Sequence, residues 1–129
     1  MAQVPPTVKR GSPRGDAVKG LQNALWSRGY DPGPIDGIFG SGTENAVMGF
    51  QSDNGLAVDG IAGPMTWRAL DVYVVQSGDT LSKIARAQLG DAGRWQEIFE
   101  LNRALISDPD KIFTGQVLVV RSSSASPGC

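Results

Sequence analysis

The chain has 129 residues, 40% of them hydrophobic and 19% charged, a balance that supports one ordinary domain or two very small ones. A formal charge of −1 at pH 7 gives no electrostatic case for nucleic acid or an anionic membrane. There is no histidine, and the single cysteine, Cys129, is the last residue. This removes the usual general base, most catalytic zinc sites and any intrachain disulfide.

Pro, Gly and Ser dominate residues 1–15, and "SSSASPGC" repeats that flavour at 122–129, so both ends read as flexible tails. The opening "MAQVPPTVKRGSPRGD" lacks the apolar segment of a secretory signal, and no stretch is apolar for long enough to span a bilayer. The expectation is synthesis in the cytoplasm without a signal peptide and no membrane insertion. After Asp16, a candidate N-cap, Val18, Leu21, Ala24 and Leu25 recur at helical spacing until Gly29. A loop, "DPGPIDGIFG", leads to Ser41 and Glu44 at capping-box spacing, with Val47 and Phe50 on the apolar face of a second helix. After "NGLAVDGIAG", Pro64 suits the first turn of a short third helix carrying Trp67 and Leu70.

From Tyr73 the grammar changes. "VYVV" reads as a strand, and "SGD" turns it into a helix with Leu81, Ile84, Ala85 and Gln88 on one side. Gly90 to Gly93 interrupt. Trp95, Ile98, Phe99 and Asn102 mark another helix, and "QVLVV" closes as a strand. The order β-α-α-β implies two antiparallel strands with both helices on one face. The expected fold class is α+β, with a helical unit over 16–71 packed beside a βααβ unit over 72–121. Only Asp71 and Val72 separate Leu70 from Tyr73, so no linker divides them. Units this small gain from packing on each other.

The same turn occurs twice, "DGIFGSGT" from Asp36 to Thr43 and "DGIAGPMT" from Asp59 to Thr66. A calcium loop with Gly37 at its sixth position would begin at Pro32 and end at Thr43, which supplies the wrong ligands. Nor is there a preceding strand or the glycine spacing of a phosphate loop. Glycine for a positive φ and aspartate bonding nearby amides make these fold corners. Asp36, Gly37, Phe39, Gly40, Thr43, Asp59 and Gly60 remain secondary candidates for a ligand role.

The residues around these corners carry a resemblance. Leu21-Gln22, Gly29-Tyr30, Asp36-Gly37, Phe39-Gly40, Thr43, Phe50-Gln51, Asp59-Gly60, Gly63, Thr66-Trp67 and Leu70 follow in order the pattern of the three-helix peptidoglycan-binding domain found on bacterial wall hydrolases. That resemblance covers about residues 8–71. Residues 72–121 resemble a LysM domain, a module for N-acetylglucosamine-containing glycans. It is carried by "YVVQSGDTLSKIA", by "WQEIFELN" ending in Asn102, and by Gly115-Gln116-Val117-Leu118. The chain departs from that family at Phe113-Thr114, where a proline usually precedes Gly115. Its middle segment also resembles LysM domains of cytoplasmic bacterial proteins and phage-tail-like machines.

A neutral acetylated sugar chain calls for loop backbone groups, short polar side chains and one or two apolar walls. The LysM resemblance places its groove between two loops, making Gly78, Asp79, Thr80, Leu81, Pro109, Asp110, Lys111, Ile112 and Phe113 the candidate glycan contacts. For Asp79 the competing role is to cap the following helix. Trp67 and Trp95 sit at apolar helical spacing and are expected in the core. No metal site and no cofactor are expected. Glycosidase chemistry needs two carboxylates across a cleft, about 5–9.5 Å apart. Glu44 fits a cap, however, and Glu97 and Glu100 share one helix. The expected function is therefore non-catalytic binding of peptidoglycan or a chitin-like glycan, at the wall or within a phage-tail-like particle. The alternatives are an adaptor docking proteins of a contractile injection apparatus, or a targeting fragment working with a wall hydrolase.

Overall fold

The structure, a computed structural model, describes residues 5–13 and 15–120. The expected C-terminal tail, Cys129 included, lies outside the described residues. The chain forms α1 (Gly15–Ser27), α2 (Ser41–Asp53), α3 (Pro64–Leu70), β1 (Val72–Val74), α4 (Leu81–Leu89), α5 (Trp95–Leu101) and β2 (Val117–Val119), with a 3-10 turn at Ala92–Arg94. This is the mixed helix-and-strand architecture that the sequence implies.

Three local expectations are corrected. Helix α1 already includes Gly15, so Asp16 lies in its first turn, where its charge still favours the positive helix end. The Ser41/Glu44 capping box does not form, because extended Gly40 is the N-cap, Ser41 is already helical and no side chain caps the end. Glu44 instead pairs with Arg10 at 3.6 Å. Finally, residues 5–13 are not a free tail. Val8 is fully buried and exchanges backbone bonds with Ala62 at 3.1 and 2.9 Å, and the Trp67 indole N–H donates to the Pro6 carbonyl at 3.1 Å. An apolar side chain that completes a small core, and a buried indole that needs an acceptor, together hold this segment.

Each repeated turn is organised by a buried glutamine from the preceding helix. Gln22 Oε1 accepts the backbone N–H groups of Asp36 and Gly37 at 3.1 and 3.0 Å, while its Nε2 reaches the Ile38 carbonyl and Thr43 Oγ1, both at 3.0 Å. Gln51 repeats this with Asp59 and Gly60, both at 3.1 Å, the Ile61 carbonyl at 2.9 Å and Thr66 Oγ1 at 3.1 Å. Within each corner an aspartate Oδ1 accepts the N–H two residues on, Ile38 at 2.9 Å and Ile61 at 3.0 Å. Gly37 and Gly60 adopt φ of 81° and 72°, which a side chain would resist. The Asp36 and Asp59 carboxyls titrate below their ordinary 3.8, chiefly because those Ile N–H groups favour the charged form.

The two strands pair antiparallel, Val72 with Val119, Tyr73 with Leu118 and Val74 with Val117. Alternation splits them between two cores. Val74, Val117 and Val119 join the core of α1, α2 and α3, whereas Val75, Leu118 and Val120 join Leu81, Ile84 and Ile98 under α4 and α5. The small sheet is thus a middle layer covered on both faces. Where α1 crosses β2 the approach is close, since a methyl group at Gly20 would stand 2.5 Å from Val117 Cβ and 2.8 Å from its carbonyl oxygen. Beside it, Asn102 is fully buried. Its Nδ2 donates to the Ile98 and Val119 carbonyls at 2.7 and 2.9 Å, and its Oδ1 accepts from Val119 N and Asn23 Nδ2 at 2.8 and 3.0 Å. Asp71 turns the chain between α3 and β1 at φ 55°, and Arg28 clamps the Ala69 carbonyl and the Asp71 carboxylate at 3.1 and 3.0 Å.

Two helical glycines, one at this crossing and one away from it, give opposite predictions. Gly20→Ala should destabilise the whole chain by about 1–3 kcal/mol, because overpacking outweighs the roughly 1 kcal/mol gained in helix propensity. Gly49→Ala, where a new methyl would meet only the Tyr30 ring at 3.5 Å, should instead stabilise by about that propensity gain. Urea unfolding of both variants checks the pair.

The corners make a second prediction. Gln51→Leu keeps the volume but strands the N–H groups of Asp59 and Gly60, and should cost about 1–3 kcal/mol. Because the folded carboxyl pKa values are depressed, their stabilisation is present above the ordinary value and is lost as pH falls through the folded one. An Asp36→Asn/Asp59→Asn double variant should therefore lose stability less steeply below about pH 4 in acid titrations followed by circular dichroism.

Candidate glycan-binding groove

The turn between β1 and α4 is built around Asp79. Its Oδ2 accepts the Tyr73 hydroxyl at 2.6 Å and the Gln76 N–H at 2.8 Å, which closes the loop onto the strand. Burial, reinforced by this bond to a carboxylate, pushes the Tyr73 hydroxyl up to about 12, so the staple keeps its proton throughout the neutral range. The expected capping role of Asp79 falls to its neighbour. Thr80 is the N-cap of α4 and accepts the Lys83 N–H at 3.2 Å. Gly78, at φ 84°, makes the reversal, and its carbonyl accepts Lys83 Nζ at 3.3 Å.

The second loop carries its own aspartate turn. Asp108 Oδ1 accepts the Asp110 N–H and its carbonyl accepts the Lys111 N–H, both at 2.9 Å, which presents Pro109 and Asp110 at the surface. Between the two loops lies a groove of about 360 Å³ lined by Thr80, Leu81, Ser82, Trp95, Pro109 and Asp110. Leu81 is nearly buried, so the groove's floor is apolar, while Thr80 and Ser82 bring their hydroxyl oxygens within 3.2 Å of each other. Asp110 is the single ionisable group in the lining.

Of the nine candidate contacts, Thr80, Leu81, Pro109 and Asp110 line this groove. Gly78 and Asp79 shape the loop behind it, Ile112 packs against the second core, and Lys111 and Phe113 are exposed outside the lining. Ser82 and Trp95 were not foreseen as contacts. Ser82 follows the helix cap by two positions, a place where short polar side chains cluster. Trp67 is buried as expected, but Trp95 is only half-buried, with part of its ring against the second core and part in the groove. Arg94 holds the start of α5 through a two-pronged pair with Glu97 at 2.7 and 3.0 Å, and Trp95 meets Phe99 at 6.4 Å between ring centres.

The corner candidates lie apart from this groove. Phe39 and Thr43 are interior, and Asp36, Gly37 and Gly40 belong to the first corner. Asp59 and Gly60 belong to the second. Among the described residues no three His, Cys, Asp or Glu groups lie together as metal ligands would, and no helix is long and apolar enough to cross a membrane.

The family model for a putative peptidoglycan-binding domain matches residues 14–70, and that for the LysM domain matches residues 73–121. The chain is similar to the potassium binding protein Kbp of Escherichia coli O6:H1, 39% identical over 64% of this chain and 57% of that protein. It is also similar to the N-acetylmuramoyl-L-alanine amidase CwlM of Mycobacterium tuberculosis, 50% identical over 43% of this chain but 14% of that enzyme. The solved SleB N-terminal domain is 42% identical over 50% of this chain and 88% of its own, with a TM-score of 0.48. The chain spans little more than half, or far less, of the curated relatives it matches. Together these matches put a peptidoglycan-binding-type domain at residues 14–70 ahead of a LysM domain at residues 73–121.

Proposed function

We propose that the chain holds bacterial peptidoglycan without cutting it, with residues 16–71 as one module and 72–121 as the other. Its LysM groove takes an N-acetylglucosamine-containing glycan. The observation that carries this reading is the meeting of Trp95 with Thr80, Ser82 and Asp110 in one groove. An acetylated sugar offers an apolar CH face and a rim of hydroxyl and acetamide groups. An aromatic wall, two short hydroxyls and one carboxylate match that pattern. Both matched domains are of a binding kind, and the hydrolase among the relatives above is matched over a small part of its length. Any cleavage near the bound wall then needs catalytic groups outside residues 16–121. The adaptor role in an injection apparatus gains no support from these comparisons.

Binding to insoluble peptidoglycan sacculi, measured by co-sedimentation, should change little with ionic strength, because the contacts are mainly neutral. Ser82→Trp, an exposed position on the groove wall, should weaken co-sedimentation by at least about tenfold without lowering the melting temperature, as expected when a hydrogen bond and its covered surface are lost. A steep loss of binding with salt, or an unaffected Ser82→Trp variant, would remove the groove from the account.

The staple behind the groove has its own signature. Because Tyr73 titrates above its ordinary 10.0, its contribution is present below that pH and is lost as pH rises towards about 12. Tyr73→Phe should be less stable at neutral pH and should lack this alkaline decline, as thermal melts across that window would read.

A further inference from the structure

The second corner repeats the first in its glutamine, aspartate and threonine contacts, with one omission. In the first corner the Thr43 hydroxyl also donates to the Pro32 carbonyl at 3.2 Å. The structure gives the Thr66 hydroxyl proton no acceptor among the described residues, although Thr66 Oγ1 receives the Gln51 amide at 3.1 Å and the residue is only 3% exposed. Loop length explains the difference. Five residues, Asp31 to Ile35, separate Tyr30 from Asp36, whereas only Ala57 and Val58 separate Leu56 from Asp59.

The longer loop passes over the start of α2 so closely that a methyl group at Gly42 would stand 3.2 Å from the Pro32 oxygen. In the second corner Met65 occupies the place of Gly42 and is 65% exposed. There the space is open, a groove of about 360 Å³ whose lining includes Leu56, Ala57, Asp59, Pro64, Met65 and Thr66. One copy of the fold therefore displays, from its own chain, what fits the site that the other copy leaves open.

We infer that this open groove takes the peptide part of peptidoglycan. A short extended segment would bring an amide carbonyl to the Thr66 hydroxyl, as Pro32 does for Thr43, and a diamino residue would bring its ammonium to Asp59. The inference rests on the wall-binding reading above and adds a second subsite to it. Thr66 Oγ1 already accepts the Gln51 amide, and its unused proton calls for an acceptor such as an amide oxygen. Asp59 is the single charged group in the lining. Its Oδ1 takes both Gln51 Nε2 and the Ile61 N–H, while its Oδ2 has no hydrogen bond or ion pair among the described residues. A negative lip above a carbonyl-seeking hydroxyl is complementary to a short peptide carrying an ammonium. The thioether chain of Met65 is flexible enough to fold over such an occupant.

The test uses the isotope-labelled full chain and two synthetic probes, the sugar-free stem pentapeptide L-Ala-γ-D-Glu-L-Lys-D-Ala-D-Ala and the peptide-free tetramer of N-acetylglucosamine. The pentapeptide should shift the amide resonances of Leu56 to Asp59 and of Met65 and Thr66, leaving Thr80 to Ser82 in place, and the sugar should do the reverse. Acetylating the lysine should weaken the peptide about threefold, the size of an exposed ion pair. Ala57→Trp, on an exposed position of the groove, should abolish the peptide shifts while melting temperature and sugar shifts persist. Thr66→Ser should retain binding that Thr66→Val loses. If the sugar binds and the pentapeptide shifts nothing at the second corner, this inference fails while the wall-binding reading stands. If neither probe binds, both fail. Sugar shifts at Thr66, or equal binding of an unrelated lysine-containing peptide of L-residues, would also overturn it.

Discussion

Buried carboxamides hold this protein together. An amide side chain carries two donors and two acceptor sites, so one buried Gln or Asn can satisfy several backbone groups that no regular element pairs. Gln22 and Gln51 each fix a loop onto the helix that precedes it, and Asn102 fixes the end of α5 onto β2 and reaches Asn23 in α1. With five helices of 7 to 13 residues and two three-residue strands among the described residues, most of the direction changes occur in loops. Loops of that kind cannot be buried cheaply unless their polar groups find partners. The core packs around these three amides, and their loss would leave a hydrophobic cluster with undefined corners.

The second constraint is the shared sheet. A two-stranded sheet is marginal alone, and so is a three-helix unit of this size. Alternation along β2 sends Val117 and Val119 to one core and Leu118 and Val120 to the other, so each unit completes the other's burial. Gly20 permits the close crossing, and the Asn23–Asn102 bond fixes its register. Arg28 and Asp71 lock the point where the chain passes between units. Two modules joined in this way present their grooves in a fixed relation. If both engage one wall, the second contact is intramolecular and its strength depends on how well that geometry fits the polymer.

The two grooves differ in a way that suits a composite ligand. Beside α4, an aromatic ring and two hydroxyls face a small apolar floor, a surface for a neutral ring with polar substituents. Beside the second corner, a buried hydroxyl and a carboxylate line a space that the chain's own backbone fills in the duplicate corner. Peptidoglycan carries both kinds of group on one polymer. Neither groove brings together the paired carboxylates that would argue for bond cleavage.

Much of this was legible in the sequence because it depends on local chemistry. Pro64 opening a helix, glycine at the positive-φ corners, alternating valines in the strands and the order β-α-α-β all follow from short-range rules, and the repeated DG turn announced the duplication. The family resemblances draw on some of these residues, the DG corners in the first unit and the Gly78 turn and closing strand in the second. Other features required the tertiary structure, because they join positions far apart in the chain. Gln22 and Gln51 were visible as parts of a pattern, but their role appears only when the loops fold back 14 and 8 residues later. The burial of Val8 depends on Ala62, and the pairing of Asn23 with Asn102 spans 79 positions. Trp95 sits at core spacing, yet only the placement of the second loop decides that part of its ring remains in a groove. A sequence determines which groups must be satisfied; which distant partner satisfies each, and which is left to a ligand, is decided when the elements pack.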